Sequence, residues 1–232
     1  MTAGPSIIRR RILPAAAATA MVAVLAGGAW YGYEAISTQP VKRVVFAGDT
    51  AKLARADLEL FAASIRESSA GASLESVREA ARRIPWVREA NVRRVFPDAV
   101  EVTFEAHAPL ARWSEGGLVS VRGELFNADY DGTLPRFKGP ESGASSMARE
   151  YPAILRALAP LATGVAELRL SPRGAWQVVL ESGITLELGR GDIQARLARF
   201  VAAWPSLASQ GVDARHADLR YANGFAVRQK SK

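Results

Sequence analysis

From Ile12 to Tyr33 the chain runs for 22 residues without a charge. At about 1.5 Å per residue, a helix of that length spans roughly 33 Å, the thickness of a bilayer's hydrocarbon core. Arg9, Arg10 and Arg11 precede the run and Glu34 follows it. Positive charge is retained on the cytoplasmic side of a membrane, so the N-terminus is expected inside and the rest of the chain outside. Trp30, Tyr31 and Tyr33 cluster at the exit, where amphipathic rings sit at headgroup level. Residues 1–11 are read as a cytoplasmic tail and 12–36 as a transmembrane helix. Pro14 falls in the first turn, where its missing N–H costs little. The competing reading is a cleaved signal peptide, because Ala26, Gly27, Gly28 and Ala29 are small enough for a peptidase. Signal h-regions run about 7–15 residues, shorter than this run, and aromatics beside a cut would be out of place.

The same arginines bear on the charge balance. Lys and Arg number 30 against 23 Asp and Glu, a formal net charge of +7 over 232 residues. Setting aside the three arginines ahead of the run leaves 27 against 23, or +4. That excess is too slight to mark a nucleic-acid-binding protein. Apolar residues make up 49% of the chain, enough to fill a core beyond the first segment. There is no cysteine, which excludes disulfides, thiol nucleophiles and Cys-ligated metals.

Residues 40–108 form a first domain. Val41 to Phe46 is a β-prone run closed by Gly48 and Asp49. Asp57 is expected to cap a helix on which Leu58, Phe61, Ala62 and Ile65 recur at i, i+3, i+4 and i+7. Ser73 opens a second helix with Leu74, Val77, Ala81 and Ile84 on one stripe, and Pro85 stops it. Ala90 to Phe96 and Ala99 to Ala106 read as a β-hairpin around Pro97 and Asp98. In its second strand Val100, Val102, Phe104 and Ala106 face one way, and Glu101, Thr103 and Glu105 the other, so one side is covered. The order β-α-α-β-β specifies an α+β unit of three strands with two helices on one face. Trp86, after a helix-stopping proline, is expected to pack over helix and sheet rather than meet a partner. Arg82, Arg83, Arg93 and Arg94 are read as a solvated surface, since neighbours on a strand point to opposite faces.

Residues 109–232 form a second domain of different character, short apolar runs punctuated by turn residues. Strands are expected at Leu118 to Val121, Leu125 to Phe126 and Leu134 to Phe137, then a Gly, Pro and Ser-rich loop from Gly139 to Ser146. A helix follows from about Ala148 to Ala162, and a meander from Val165 to Leu170, Ala175 to Leu180 and Ile184 to Leu188. Asp192 caps an amphipathic helix with Ile193, Leu197, Phe200, Val201 and Trp204 buried and Arg196 and Arg199 off the stripe. Asp218 to Tyr221 and Gly224 to Arg228 are the last strands, joined at Ala222 and Asn223. The domain is expected to be mainly antiparallel with two helices, and a terminal strand with no following element leaves an open edge to which an incoming chain adds a strand.

Particular runs carry a resemblance. Ile84-Pro85-Trp86-Val87, Val92-Arg93-Arg94-Val95-Phe96-Pro97-Asp98, Val100 to Glu105 and Pro109-Leu110-Ala111-Arg112-Trp113 resemble the POTRA domain of the FtsQ/DivIB family of bacterial cell-division proteins and its exit. Leu134-Pro135 with Gly139-Pro140, Gly174-Ala175-Trp176, Leu188-Gly189-Arg190 and Asp218-Leu219-Arg220-Tyr221 with Asn223-Gly224 are similar to the family's β domain. The resemblance covers roughly residues 40 to 228. It implies a scaffold of the division septum that links early and late division proteins by binding them outside the membrane, with no catalysis and no cofactor. It places the protein in the bacterial inner membrane as a single-pass protein, its bulk periplasmic. It implies FtsB and FtsL as partners of the last strands, and FtsK as a partner of the POTRA region. Arg220, Tyr221, Gly224, Phe225 and Ala226, with Arg196 from the preceding helix, are then the partner-binding residues. Arg220 would pair an acidic side chain, Tyr221 would supply an aromatic anchor, and Gly224 would let a backbone approach. A tryptophan that follows this strand in some family members is replaced here, with Gln229 at or near its place.

Enzymatic chemistry finds little support. His107 and His216 lie far apart in sequence, and neither has a partner at metal-ligand spacing. No Gly-x-Ser-x-Gly elbow surrounds a serine. Gly189 to Gly191 lacks the third glycine of a dinucleotide fingerprint, and Arg190-Gly191-Asp192 reads as a turn leading into a helix cap. Two classes of function stand at this point: an interaction module on a membrane anchor, and an exported protein of unknown activity released by signal cleavage.

Overall fold

The structure is a computed structural model of the chain, and it describes residues 21–31, 41–67, 73–96, 98–210, 212 and 214–229. Residues 21–31 form a helix, α1, whose Met21, Val22, Val24, Leu25, Trp30 and Tyr31 are exposed. No helix among the described residues is long and apolar enough to cross a membrane. The rest of the span expected over 12–36 lies outside the described residues. The chain divides into two compact units between Glu105 and Ala106.

The first unit runs β1 (Arg43–Gly48), α2 (Arg55–Glu67), α3 (Leu74–Ala81), β2 (Val87–Val95) and β3 (Ala99–Ala106). Its sheet has the order β1-β3-β2, with β1 parallel to β3 and Phe46 opposite Val102. The strict alternation of β3 decides which side is covered. Val100, Val102 and Phe104 are buried with Phe61 and Ile65 of α2 and Val77 and Ala81 of α3. Rings of Phe46, Phe61 and Phe104 meet at centroid distances of 5.7–6.2 Å. On the other face Arg93 holds Glu101 at 2.8 Å and Arg88 pairs with Glu105. Arg82 pairs with Glu89 at 2.5 Å, so these arginines form part of a solvated, ion-paired surface.

Three local expectations need correction. Asp57 does not cap α2; the helix starts at Arg55, and Asp57 lies in its first turn, where a carboxylate still meets the positive end of the helix dipole. Leu74 is exposed at 38%, because it is the first residue of α3 and precedes the turn that faces the sheet. The helix ends at Ala81 instead of running to Pro85, although Ile84 remains buried. Ser73 is the cap expected, its side chain accepting from Ser76 N. Trp86 occupies a left-handed conformation, φ +74°, in the tight turn into β2, with Lys52 Nζ 5.6 Å from its ring centroid.

The second unit runs β4 (Pro109–Trp113), β5 (Leu118–Ser120), β6 (Leu125–Phe126), β7 (Arg136–Lys138), α4 (Ala144–Leu158), β8 (Val165–Leu170), β9 (Trp176–Leu180), β10 (Thr185–Gly189), α5 (Ile193–Ser209), β11 (Ala214–Asp218) and β12 (Ala226–Gln229). They make one nine-stranded sheet, order β12-β11-β10-β9-β8-β7-β4-β5-β6. The sheet is mixed. β7 pairs parallel to β8 and β10 parallel to β11, and in each case a helix, α4 or α5, joins the two strands. Parallel neighbours need such a crossover, so both helices are dictated by the pairing. β4 and β7 are parallel as well. Ile154 and Leu158 of α4 and Leu197 and Phe200 of α5 share one core with Phe137, Leu168, Val178 and Leu186 of the sheet. Both helices therefore cover one face, and the other stays open.

Three boundaries stand out against those expected. β4 is a strand rather than a bare exit segment. α4 begins at Ala144, four residues early, because Ala144 and Met147 bury as its first inward turn. Pro152 is tolerated within it on the exposed side. β11 ends at Asp218 instead of beginning there; Ala214 and Ala217 are its buried residues, and Ala217 shares the core with Leu197 and Phe200 of α5.

Candidate functional site

β12 is the outermost strand of the nine-stranded sheet, with β11 on one side and no strand on the other among the described residues. Its outward backbone groups form the open edge expected of a terminal strand. In register, Ala226 stands opposite Asp218 and Arg228 opposite His216, both on the open face. Val227, between them, packs against the core from the helix side.

The connection 219–225 carries most of the side chains singled out by the sequence, and α5 fixes it. Leu219 is buried, and its N–H donates to Glu187 O at 2.9 Å, prolonging the β10–β11 pairing by one residue. Arg199 of α5 donates to Ala222 O. Phe225 meets Phe200 edge to face at 5.4 Å, and Phe200 in turn contacts Trp204 at 5.2 Å. Phe225 is thus half-buried, and only part of its ring faces outward. Tyr221 is 58% exposed at the tip of the connection, a large aromatic held on a pinned loop. Gly224 has open space where a Cβ would point, so a chain can approach its backbone.

Arg220 leaves β11 two residues after Asp218 and closes back on it, donating to both carboxylate oxygens at 2.8 and 2.6 Å. The hydrogen bonds from Arg220 hold the Asp218 carboxyl below its usual range, and Asp218 raises the guanidinium in return. Arg196 is turned toward its own chain, donating to Leu188 O and to Arg190 O, the latter at 2.8 Å. Both arginines lie over Gly189, whose φ is +65° and where a Cβ would come within 2.9 Å of Arg220 Cγ. Glycine there lets the two cations share one end of β10.

The structure therefore brings Arg196, Arg220, Tyr221, Gly224, Phe225 and Ala226 to one corner of the sheet. The bidentate Arg220–Asp218 pair and the Arg199 strut were missed from sequence. An Asp-x-Arg step at a strand end signals the first, whereas the second depends on where α5 crosses. Among the described residues no cluster of three or more His, Asp or Glu side chains is placed to hold a metal ion.

Residues 111–220 match the family described as cell division protein FtsQ/DivIB, C-terminal, and residues 39–105 match the POTRA domain, FtsQ-type. Among curated proteins the chain is similar to cell division protein FtsQ of Burkholderia pseudomallei, 45% identical over 67% of this chain and 65% of the relative. It is 35% identical to cell division protein FtsQ of Neisseria meningitidis over 91% of each chain. Against cell division protein FtsQ of Xanthomonas campestris it is 33% identical over 99% of this chain and 82% of the relative. The chain spans just under two thirds of the length of some of these relatives, 65% and 66% for those of Burkholderia pseudomallei and Nitrosospira multiformis. With matches across both units and near-complete overlap with several relatives, the chain belongs to the FtsQ/DivIB family of cell division proteins.

Proposed function

We propose that this protein is a membrane-anchored scaffold of the division septum, which links early and late division proteins by binding them outside the inner membrane and catalyses nothing. The observation that carries the reading is the free edge of β12 beside an exposed Tyr221 on a loop pinned to α5. A backbone edge supplies affinity by strand addition, and an aromatic at its rim supplies an anchor. FtsB and FtsL are the partners assigned to this edge, and FtsK to the POTRA unit. The uncharged run from Ile12 to Tyr33, with three arginines before it, supports a single membrane span with the N-terminus inside. Two separate cores, one in each unit, support two partner-bearing modules on one anchor.

A photo-crosslinking side chain placed at Arg228 tests the assignment in dividing cells. Arg228 is exposed beside the open edge, so the expected product joins this chain to FtsB. A crosslinker at Glu150, exposed less and carried by α4 on the helix-covered side, should give none. The assignment fails if position 228 yields no FtsB product while the unmodified positions still support division.

A further inference from the structure

The open face of the nine-stranded sheet carries an imbalance of charge on three adjacent strands. Arg112 of β4 stands directly beside Arg136 of β7, and Lys138 of β7 directly beside Arg169 of β8. Like charges at facing positions destabilise a sheet, and two such pairs sit together here. The carboxylate among these cross-strand neighbours is Glu167, opposite Arg136, and Arg169 takes it up at 2.6 and 3.2 Å. Arg169 also donates to Gln177 Oε1 at 2.7 Å, and Gln177 donates to Glu187, which fixes a polar floor across β8, β9 and β10. Arg112 donates to backbone carbonyls of Tyr130 and Gly132, which orient the guanidinium without cancelling its charge. Arg136 and Lys138 are exposed and act on Glu167 through space, both helping to lower its pKa after the larger effect of Arg169.

Where β7, β8 and β9 reach the same end of the sheet, a surface cavity of about 490 Å³ opens beside these cations. That volume falls within the range of ligand pockets. Pro140, Leu170, Pro172 and Trp176 give it apolar walls, and its charged lining is balanced, Lys138 and Arg169 against Glu115 and Glu187. Trp176 is half-buried against the core and also lines the cavity.

We infer that this cavity and the cations beside it bind an acidic, extended segment of another protein. A proline or aromatic side chain sits among the apolar walls, and an adjoining carboxylate meets Lys138 and Arg136. The cavity lining itself is charge-balanced, so the preference for an anionic occupant comes from the exposed cations outside it, Arg112 and Arg136 on the adjoining strands, and the walls select an occupant with an apolar side chain. Glu115 repels a uniformly anionic polymer but accepts a peptide N–H, which favours a polypeptide over a lipid headgroup. The cavity is lined from β7, β8, β9 and β10, with β11 between it and β12, so it does not rest on the reading of that edge and leaves it free.

The test uses the full-length chain in detergent micelles with ¹⁵N-labelled tryptophan, which has five indoles to report, from Trp30, Trp86, Trp113, Trp176 and Trp204. The probe is the blocked hexapeptide Glu-Glu-Pro-Trp-Glu-Glu, unlabelled. A saturable shift confined to Trp176 is expected. Lys138→Glu should weaken it by about fivefold or more, the scale of reversing one exposed charge. Tyr221→Ala should leave it unchanged, which separates this site from the β12 edge. No saturable shift at Trp176 would overturn the inference. So would equal binding of hexaglutamate or of the Lys-for-Glu peptide, and an equal response to phosphatidylglycerol added to the micelles would assign the face to a lipid surface instead.

Discussion

Val102→Asp puts the one-sided character of the first unit's sheet to a quantitative test. Val102 is completely buried on β3, the middle strand, opposite Phe46 and within a core of Phe, Val, Ile and Ala side chains. Losing a buried valine forfeits about 1.5–3 kcal/mol of transfer free energy. An aspartate in its place finds no cation in that core, so it must protonate or drag in water at a cost of several kcal/mol. The sum is on the order of 5 kcal/mol, against roughly 3–10 kcal/mol for the whole stability of a unit this size. Thr103→Asp, one residue on and exposed on the other face, should stay within about 0.5 kcal/mol. Hydrogen exchange read by mass spectrometry on the full chain resolves the two units. Slow amides between Val41 and Glu105 should be lost in Val102→Asp and kept in Thr103→Asp, while those of α4 and α5 are unaffected by either. Retained protection across β1 and β3 in Val102→Asp would mean that the covered face has been misassigned.

Three further outcomes follow from other parts of the fold. Asp192 accepts from Ala195 N at 3.0 Å at the start of α5, so Asp192→Ala should destabilise the second unit by about 1 kcal/mol in urea titrations. The folded pKa of Asp218 is depressed by Arg220, so the pair's stabilisation is complete above the ordinary carboxylate range and is lost as pH falls through the lowered value. With Arg220 62% exposed the effect is small, and Asp218→Asn should flatten that acid limb, measured as exchange at Leu219 and Arg220 between neutral and acidic pH. Replacing residues 12–36 with a cleavable signal should give a folded soluble protein that supports division poorly, whereas full complementation would show the anchor dispensable.

Sequence periodicity located much of this structure where one face decided the pattern. β8 runs from Val165 to Leu170 as expected, and the caps Ser73 and Asp192 both accept the N–H that their position requires. It failed where burial was carried by small or interrupted residues. β11 reads as polar, yet it lies between β10 and β12 with Ala214 and Ala217 inward, and no period-2 rule weights an alanine strongly. β4 opens with a proline, a position a strand allows, and only Ala111 and Trp113 mark its buried side. The four parallel pairings were invisible because strand direction is set by the crossover, which a local pattern does not encode. At the candidate site the residues grouped from the sequence fall at one corner, and the fold shows what their side chains touch within the chain. Arg220 is committed to Asp218 and Arg196 to carbonyls of β10 and the turn after it, which leaves Tyr221 as the exposed aromatic of the corner.

The claim that a partner is held at the β12 edge is tested most directly by the affinity of the full chain for the periplasmic segment of FtsB, measured calorimetrically. Tyr221→Ala removes an exposed ring from a loop whose anchors, Leu219, Ala222 and Phe225, are untouched, so the fold should persist with unchanged exchange in α5 and β11. Binding should weaken by at least about 2 kcal/mol, roughly thirtyfold, the scale of an interface hot spot. A folded Tyr221→Ala that retains wild-type affinity would contradict the assignment and move the partner off this edge.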